Sequence, residues 1–147
     1  MTPEEIFPIV TYGVFPAWLL LAVAPGWEWT DRIVHRIYIP CALALVYIWA
    51  MFAGPARPEG GNFDTLQGVM LLFTSPHAVL AGWIHYLAFD LFIGAWEVRD
   101  AKRRGIPHLW VVPCLFFTLM LGPLGLLMYL GVRFGRMRVT TLGETAA

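Results

Sequence analysis

The chain has 147 residues and no net charge at neutral pH, and 59% of its residues are hydrophobic while only 14% are charged. A soluble domain carries charge on about a quarter of its residues, because water has to wet its surface. The composition therefore indicates a single-domain membrane protein. The balanced charge excludes the basic surface of a nucleic-acid-binding protein.

Four continuous apolar runs are long enough to cross a membrane, whose hydrocarbon core takes about 20 helical residues. They predict transmembrane helices over about residues 6–24, 33–53, 76–96 and 108–132. The runs do not alternate with a period of two, so a β-barrel is not predicted. The predicted fold class is an all-α integral membrane protein whose single domain covers residues 1–147 and crosses the bilayer several times.

Other segments refine this prediction. The amino terminus MTPEEIFPIV has two glutamates and no basic residue before its apolar run, so we expect a retained first span and not a cleaved signal peptide. The segment FDTLQGVMLLF (63–73) is too short to span and mixes polar with apolar residues, which predicts a short interfacial helix between spans two and three.

Prolines inside the runs predict kinks in the helices, and the sequence GPLG at 122–125 predicts a bend in the fourth helix. Gly122 and Gly125 leave two interpretations open. They allow either close packing of another backbone or the approach of a flat ligand.

The third run contains the polar residues of greatest interest. Asp90 lies near its middle, where a carboxylate is unfavourable by about 2.5–3.5 kcal/mol and normally faces the protein interior. At about 100° per residue, Trp83, Tyr86 and Asp90 share one stripe of the helix with Glu97. Asp90 is either a hydrogen-bonded link between helices or an acid–base group that contacts a ligand.

His85 lies roughly 140° from Asp90 around the same helix, so the two residues do not form a dyad by themselves. The interpretations open for His85 are a hydrogen bond to a neighbouring helix, a metal or pigment ligand, and a proton donor. His77 and His108 lie near span ends and are expected at the membrane interface. Neither the histidines nor the two cysteines have metal-ligand spacing, so no metal site is predicted.

The segment EVRDAKRRG (97–105) follows the third run and alternates charge signs. We expect it to be a solvated helix end that anchors the protein against anionic lipid.

The segments GWIHYLAFDLFIGAWEVRDA and PHLWVVPCLFFTLMLGPLGLLMYL resemble the abscisic acid deficient 4-like family of small polytopic membrane proteins, known from plastids and bacteria. The resemblance covers about residues 75–131. It implies that His85, Asp90, Gly122 and Gly125 are signature positions of the family. It also implies a bacterial inner membrane or a photosynthetic membrane as the location.

The resemblance further implies work on carotenoids, since plant members are needed to make neoxanthin. In that reaction an epoxide end group of violaxanthin opens to an allene, which requires an acid for the epoxide oxygen and a base for a chain proton. On this interpretation Asp90 and His85 are the acid–base pair. Trp83, Tyr86, Gly122 and Gly125 contact a bound carotenoid, and the partners are the lipid bilayer and this carotenoid-like lipid.

Two other functions remain open. The chain, with 15% aromatic residues and seven tryptophans, is also compatible with a pigment-binding or assembly subunit of a larger membrane complex. In that case other membrane proteins are its partners and His85 ligates a chlorin magnesium. A small transporter ranks last, because no repeated half-helices support it.

Overall fold

The computed structural model describes residues 1–55, 58–138 and 140–142. Within these residues all regular secondary structure is helical, which confirms the all-α prediction. The helices in chain order are α1 (Pro3–Gly13), α2 (Phe15–Val23), α3 (Glu28–Ile33), α4 (Tyr38–Phe52), α5 (Leu66–Leu72), α6 (Pro76–Arg103), α7 (His108–Leu121) and α8 (Pro123–Met137).

Capping residues and prolines set the helix boundaries. Thr2 caps α1, because its hydroxyl accepts from the Glu5 amide while the Glu5 carboxylate accepts from the Thr2 amide. Pro40, one of the prolines inside the predicted second span, lies in the first turn of α4, which begins at Tyr38 after a break in the helix. A first-turn proline is tolerated because the amide it lacks has no partner in the helix there.

Among the described residues, three helical stretches are long and apolar enough to cross a membrane: Pro3–Val23, Glu28–Phe52 and Pro76–Arg103. They correspond to the first three predicted spans. The short helix α5 forms within the predicted segment 63–73, and the hydroxyl of Thr65 caps it by accepting from the Gly68 amide at 3.0 Å.

The fourth predicted helix, over 108–132, does not form as one helix. The chain turns at Gly122, whose φ of +40° is in the region that favours glycine, and Pro123 starts α8. Helix α8 packs back along α7, so that the Arg136 guanidinium lies 6.0 Å from the Trp110 ring. The predicted bend is therefore a helical hairpin, and α7, with 14 residues, is about 21 Å long.

The described residues form two compact units. Unit 1 consists of Met1–Val14 and Ile39–Ala88, and its buried apolar side chains include Val10, Leu43 and Ile84. Unit 2 consists of Phe15–Tyr38 and the described part of Phe89–Ala147.

In unit 2, helix α7 packs against α8 and α2, and α2 contacts α3. The buried side chains of this unit include Leu21, Val111 and Tyr129. Helix α6 contributes its first part to unit 1 and its second part to unit 2. The sequence-based prediction of a single domain remains a prediction.

Candidate functional site

The residues predicted from the sequence fall into both units. Unit 1 contains those from the first part of α6, namely Trp83, His85 and Tyr86. Unit 2 contains Asp90 together with the two glycines of the α7–α8 turn, Gly122 and Gly125. Each group is described separately below.

Unit 1 contains a partly open cavity of about 330 Å³. Its walls come from the end of α4, the segment that follows it, α5 and the first part of α6. The lining is mostly apolar, and the polar side chains in it are Tyr47, Ser75, His77 and His85. Ligand sites generally combine such an apolar wall with a few polar groups.

The imidazoles lie along one stretch of this cavity. His85 is exposed on the protein surface, and its ring centroid lies 6.4 Å from that of Tyr47. His77 is partly buried, and its ring lies 5.8 Å from that of Trp49. His85 lies in the lining of the cavity, and its predicted role stays a prediction.

Two glycines allow side chains to approach closely in the cavity wall. A Cβ atom at Gly54 would lie 2.9 Å from His77 Cβ, and one at Gly82 would lie 2.8 Å from Phe73 Cε1. His77, Gly54 and Gly82 were not predicted from the sequence as site residues. A sequence signal was available, since small residues recur at Ala78, Ala81 and Gly82 on the turns of α6 that follow His77.

Trp83 and Tyr86 take part in packing within unit 1. The Trp83 indole donates a hydrogen bond to Thr11 Oγ1 at 2.8 Å, and its ring stacks on Tyr86 at 5.3 Å and contacts Phe7 at 5.5 Å. These contacts join α6 to α1. The described lining of the cavity includes neither Trp83 nor Tyr86, so their predicted contact with a ligand stays a prediction.

Asp90 lies next to the turn between α7 and α8. A Cβ atom at Gly122 would be 2.8 Å from Asp90 Oδ1, so a larger residue there would require this carboxyl group to shift. Because α8 begins at Pro123, the carboxyl group is close to the amino-terminal end of α8. The helix dipole favours negative charge at this position.

Gly125 has a tighter packing role. A Cβ atom there would lie 2.0 Å from the backbone nitrogen of Thr118, which belongs to the facing helix α7. This geometry supports the packing interpretation of the GPLG motif. The carotenoid contact predicted for Gly122 and Gly125 stays a prediction.

Unit 2 also contains a group of buried polar side chains, which we call the Asp100 cluster: Glu97, Asp100, Arg104, Thr118, Tyr129 and Arg133. Asp100, which is 1% exposed, accepts a hydrogen bond from Arg104 Nε at 2.9 Å and one from the Tyr129 hydroxyl at 2.7 Å. Arg133 Nε lies 2.9 Å from Asp100 Oδ2 and forms an ion pair with it. Glu97 Oε1 accepts from the Thr118 hydroxyl at 3.0 Å.

The Asp100 cluster corrects the expectation that residues 97–105 form a solvated helix end. Glu97, Asp100 and Arg104 are buried, while Lys102 and Arg103 remain exposed. The spacing 97, 100 and 104 places the three buried residues on one face of α6, and the α7–α8 hairpin supplies their partners. The alternating charge signs of this segment therefore did not show that one face of α6 is buried in an ion-pair network.

Among the described residues, no group of three His, Cys, Asp or Glu side chains converges to hold a metal ion.

Comparison with known proteins gives two matches. The family model described as "ABA DEFICIENT 4-like" matches residues 5–129. Among curated proteins, the chain is 25% identical over 123 residues to "Protein ABA DEFICIENT 4, chloroplastic" from Arabidopsis thaliana, an alignment that covers 78% of this chain and 56% of that protein. The chain therefore matches little more than half of that relative's length. No solved structure gives a significant match.

Proposed function

This chain belongs to the ABA DEFICIENT 4-like family, and from that premise we propose that it is a membrane protein of carotenoid metabolism. The reaction we propose is the one that the family resemblance implies, the isomerisation of a xanthophyll epoxide end group to an allene. The observation that carries the proposal is the apolar cavity of unit 1 with the His85 imidazole in its lining. An apolar wall with an imidazole suits a hydrocarbon ring that bears oxygen.

Membrane insertion is part of the proposal. The three stretches Pro3–Val23, Glu28–Phe52 and Pro76–Arg103 have the length and hydropathy of spans. Helix α7 is apolar but has only 14 residues, fewer than the roughly 17 that a span requires. We therefore replace the predicted fourth span by an α7–α8 hairpin that does not cross the bilayer.

The proposed reaction is an isomerisation in which protons balance. An acid protonates the epoxide oxygen, the ring carbon–oxygen bond opens, and a base removes a proton from the adjacent chain carbon to form the allene. General acid–base groups typically contribute about 10²–10⁴-fold to such steps. We assign one of these roles to His85, which lines the cavity, and Asp90 stays the candidate that the family resemblance implies for the other.

A pigment-binding subunit is the second candidate. The observation that favours it is the exposure of His85, because an accessible imidazole beside an apolar cavity also suits axial ligation of a chlorin magnesium. A subunit of this kind would hold its pigment without changing it, and it would have other membrane proteins as partners.

The test is to produce the protein in a bacterial host that accumulates violaxanthin and to measure allenic product by chromatography of extracted pigments. Wild type is expected to form neoxanthin, and His85→Ala and Asp90→Asn should each reduce its formation by at least about a hundredfold. His108→Ala is the matched control, because His108 contacts the Ala22 carbonyl oxygen at 2.9 Å in unit 2 and has no role in the proposed chemistry.

Absence of allenic product with well-folded wild-type protein would overturn the enzymatic proposal. Recovery of unchanged carotenoid bound to that protein would favour the pigment-binding function. Full activity of Asp90→Asn would remove Asp90 from the acid–base pair.

A further inference from the structure

We propose that the cavity of unit 1 binds a single hydroxylated ring of a carotenoid, and that His77 determines specificity by hydrogen bonding to the ring hydroxyl. This inference rests on the proposed function only for the class of ligand. The cavity and the position of His77 are features of the structure itself. The polyene chain of the ligand would extend out of the cavity.

The size of the cavity sets what it can hold. Its volume of about 330 Å³ is at the lower end of ligand sites, which range over roughly 300–1,000 Å³ for drug-sized molecules. A carotenoid is longer than such molecules, so the cavity can enclose only one of its ends. The open side of the cavity provides the exit for the chain.

The environment of His77 identifies it as the residue that recognises the hydroxyl. The His77 ring packs beside Trp49. Because Gly54 has no side chain, its backbone can lie close to the Cβ atom of His77. In the part of the chain that the structure describes, the His77 imidazole makes this ring contact but no hydrogen bond. The partly buried imidazole lines the cavity, so it can form a hydrogen bond with a ligand hydroxyl that enters the cavity.

The two imidazoles lie at different positions along the axis of α6. His77 is at the start of the helix and His85 lies eight residues further on, which separates their Cα atoms by about 12 Å along the axis. If α6 spans the membrane, His77 is near the interface and His85 is deeper. A ring hydroxyl is most stable near the interface, while the reacting carbons beside the polyene lie deeper, on the side of His85.

Hydrogen bonding to a hydroxyl gives selectivity against the analogue that lacks it, because the protein group is then left without a partner. For one hydrogen bond of ordinary strength we expect about a tenfold preference. Zeaxanthin and β-carotene are suitable probes, because they share the same carbon skeleton and differ in the ring hydroxyls. Neither probe has an epoxide, so binding is measured apart from turnover.

The experiment measures the affinity of the full chain in lipid nanodiscs for each pigment, from the pigment retained per protein after gel filtration. Wild type should prefer zeaxanthin about tenfold, and His77→Ala should abolish the preference while changing β-carotene affinity by less than about threefold. His77→Gln, which retains a hydrogen-bonding side chain, should restore part of the preference. His108→Ala should behave as wild type.

Equal affinity of wild type for the two pigments, or an unchanged preference in His77→Ala, would overturn the inference. The proposed function fails in a different way. A protein that discriminates between the probes but forms no neoxanthin keeps the inference and loses the enzymatic proposal. A protein that forms neoxanthin but binds both probes equally keeps the enzymatic proposal and loses the inference.

Discussion

In unit 1 the imidazoles of His77 and His85 line an apolar cavity, whereas in unit 2 the carboxylate of Asp100 is surrounded by a tyrosine and two arginines. Both regions place ionisable side chains among apolar ones. In unit 2 both oxygens of Asp100 accept hydrogen bonds from protein side chains, so this carboxylate does not need a ligand as its partner. In unit 1 the polar groups border a space, which is the arrangement expected of a binding site.

The difference between the two regions predicts that substitutions in unit 2 and substitutions at the cavity of unit 1 affect different properties of the protein. Substitutions in the Asp100 cluster should mainly reduce the free energy of unfolding, because buried charges lose their compensation. Substitutions at the cavity should mainly change the handling of pigment. Three variants test this difference: one in the Asp100 cluster, one in the packing of α8 on α7 in unit 2, and one at the cavity. The expected loss of stability decreases from the first to the third.

Asp100→Ala should have the largest effect. It leaves the buried guanidinium groups of Arg104 and Arg133 without their carboxylate, and breaking a buried ion pair in this way typically costs about 3–5 kcal/mol. The measurement is the free energy of unfolding in mixed micelles, followed by circular dichroism during titration with a denaturing detergent.

Arg103→Ala is the matched control for Asp100→Ala. The Arg103 side chain is 34% exposed and lies 3.9 Å from Asp100, so its loss should change stability by less than about 1 kcal/mol. If the two variants were equally stable, the Asp100 cluster would not be holding unit 2 together.

Gly125→Ala should have an intermediate effect. The added methyl group would lie 2.0 Å from the Thr118 nitrogen, and because that atom is backbone, the hairpin has to open to accommodate it. Overpacking of this kind costs about 1–3 kcal/mol, measured by the same unfolding titration.

Gly131→Ala provides the comparison for Gly125→Ala within the same helix. No atom lies within 4 Å of the Cβ position of Gly131, so alanine there should stabilise α8 by about 0.5–1 kcal/mol. Tolerance of alanine at Gly125 would show that α7 and α8 do not pack as closely as the structure indicates.

His85→Ala should have the smallest effect on stability, within about 0.5 kcal/mol, because the side chain is exposed. Trp83→Phe, two residues away, removes the donor to Thr11 and should cost about 1 kcal/mol. The opposite order would make His85 a structural residue, and the distinction between the two units would then disappear.

Much of the fold could be predicted from local sequence. Continuous apolar runs identified the helices that occupy Pro3–Val23, Glu28–Phe52 and Pro76–Arg103, because hydropathy depends only on composition along the chain. The short helix α5 could be predicted for the same reason. The sequence left the role of His85 open between a hydrogen bond to a neighbouring helix, a ligand to a metal or pigment, and a proton donor, and its place in the cavity lining could not be predicted from the local pattern.

The hairpin and the Asp100 cluster could not be predicted in this way. GPLG indicates a break in a helix, but a bend and a full reversal have the same local sequence, and packing of α8 on α7 decides between them. The charged residues after Trp96 have the composition of a solvated segment. Asp100 can be buried because Tyr129 and Arg133, which belong to α8, pair with its carboxylate.

The sequence by itself therefore determined the helical class, the three long apolar helices and the family to which the chain belongs, because these follow from residue type and local order. The tertiary structure decided which polar residues pair with one another and which border a cavity. That difference depends on side chains distant in sequence, since a buried charge or imidazole is stabilised by whichever group the fold brings to it.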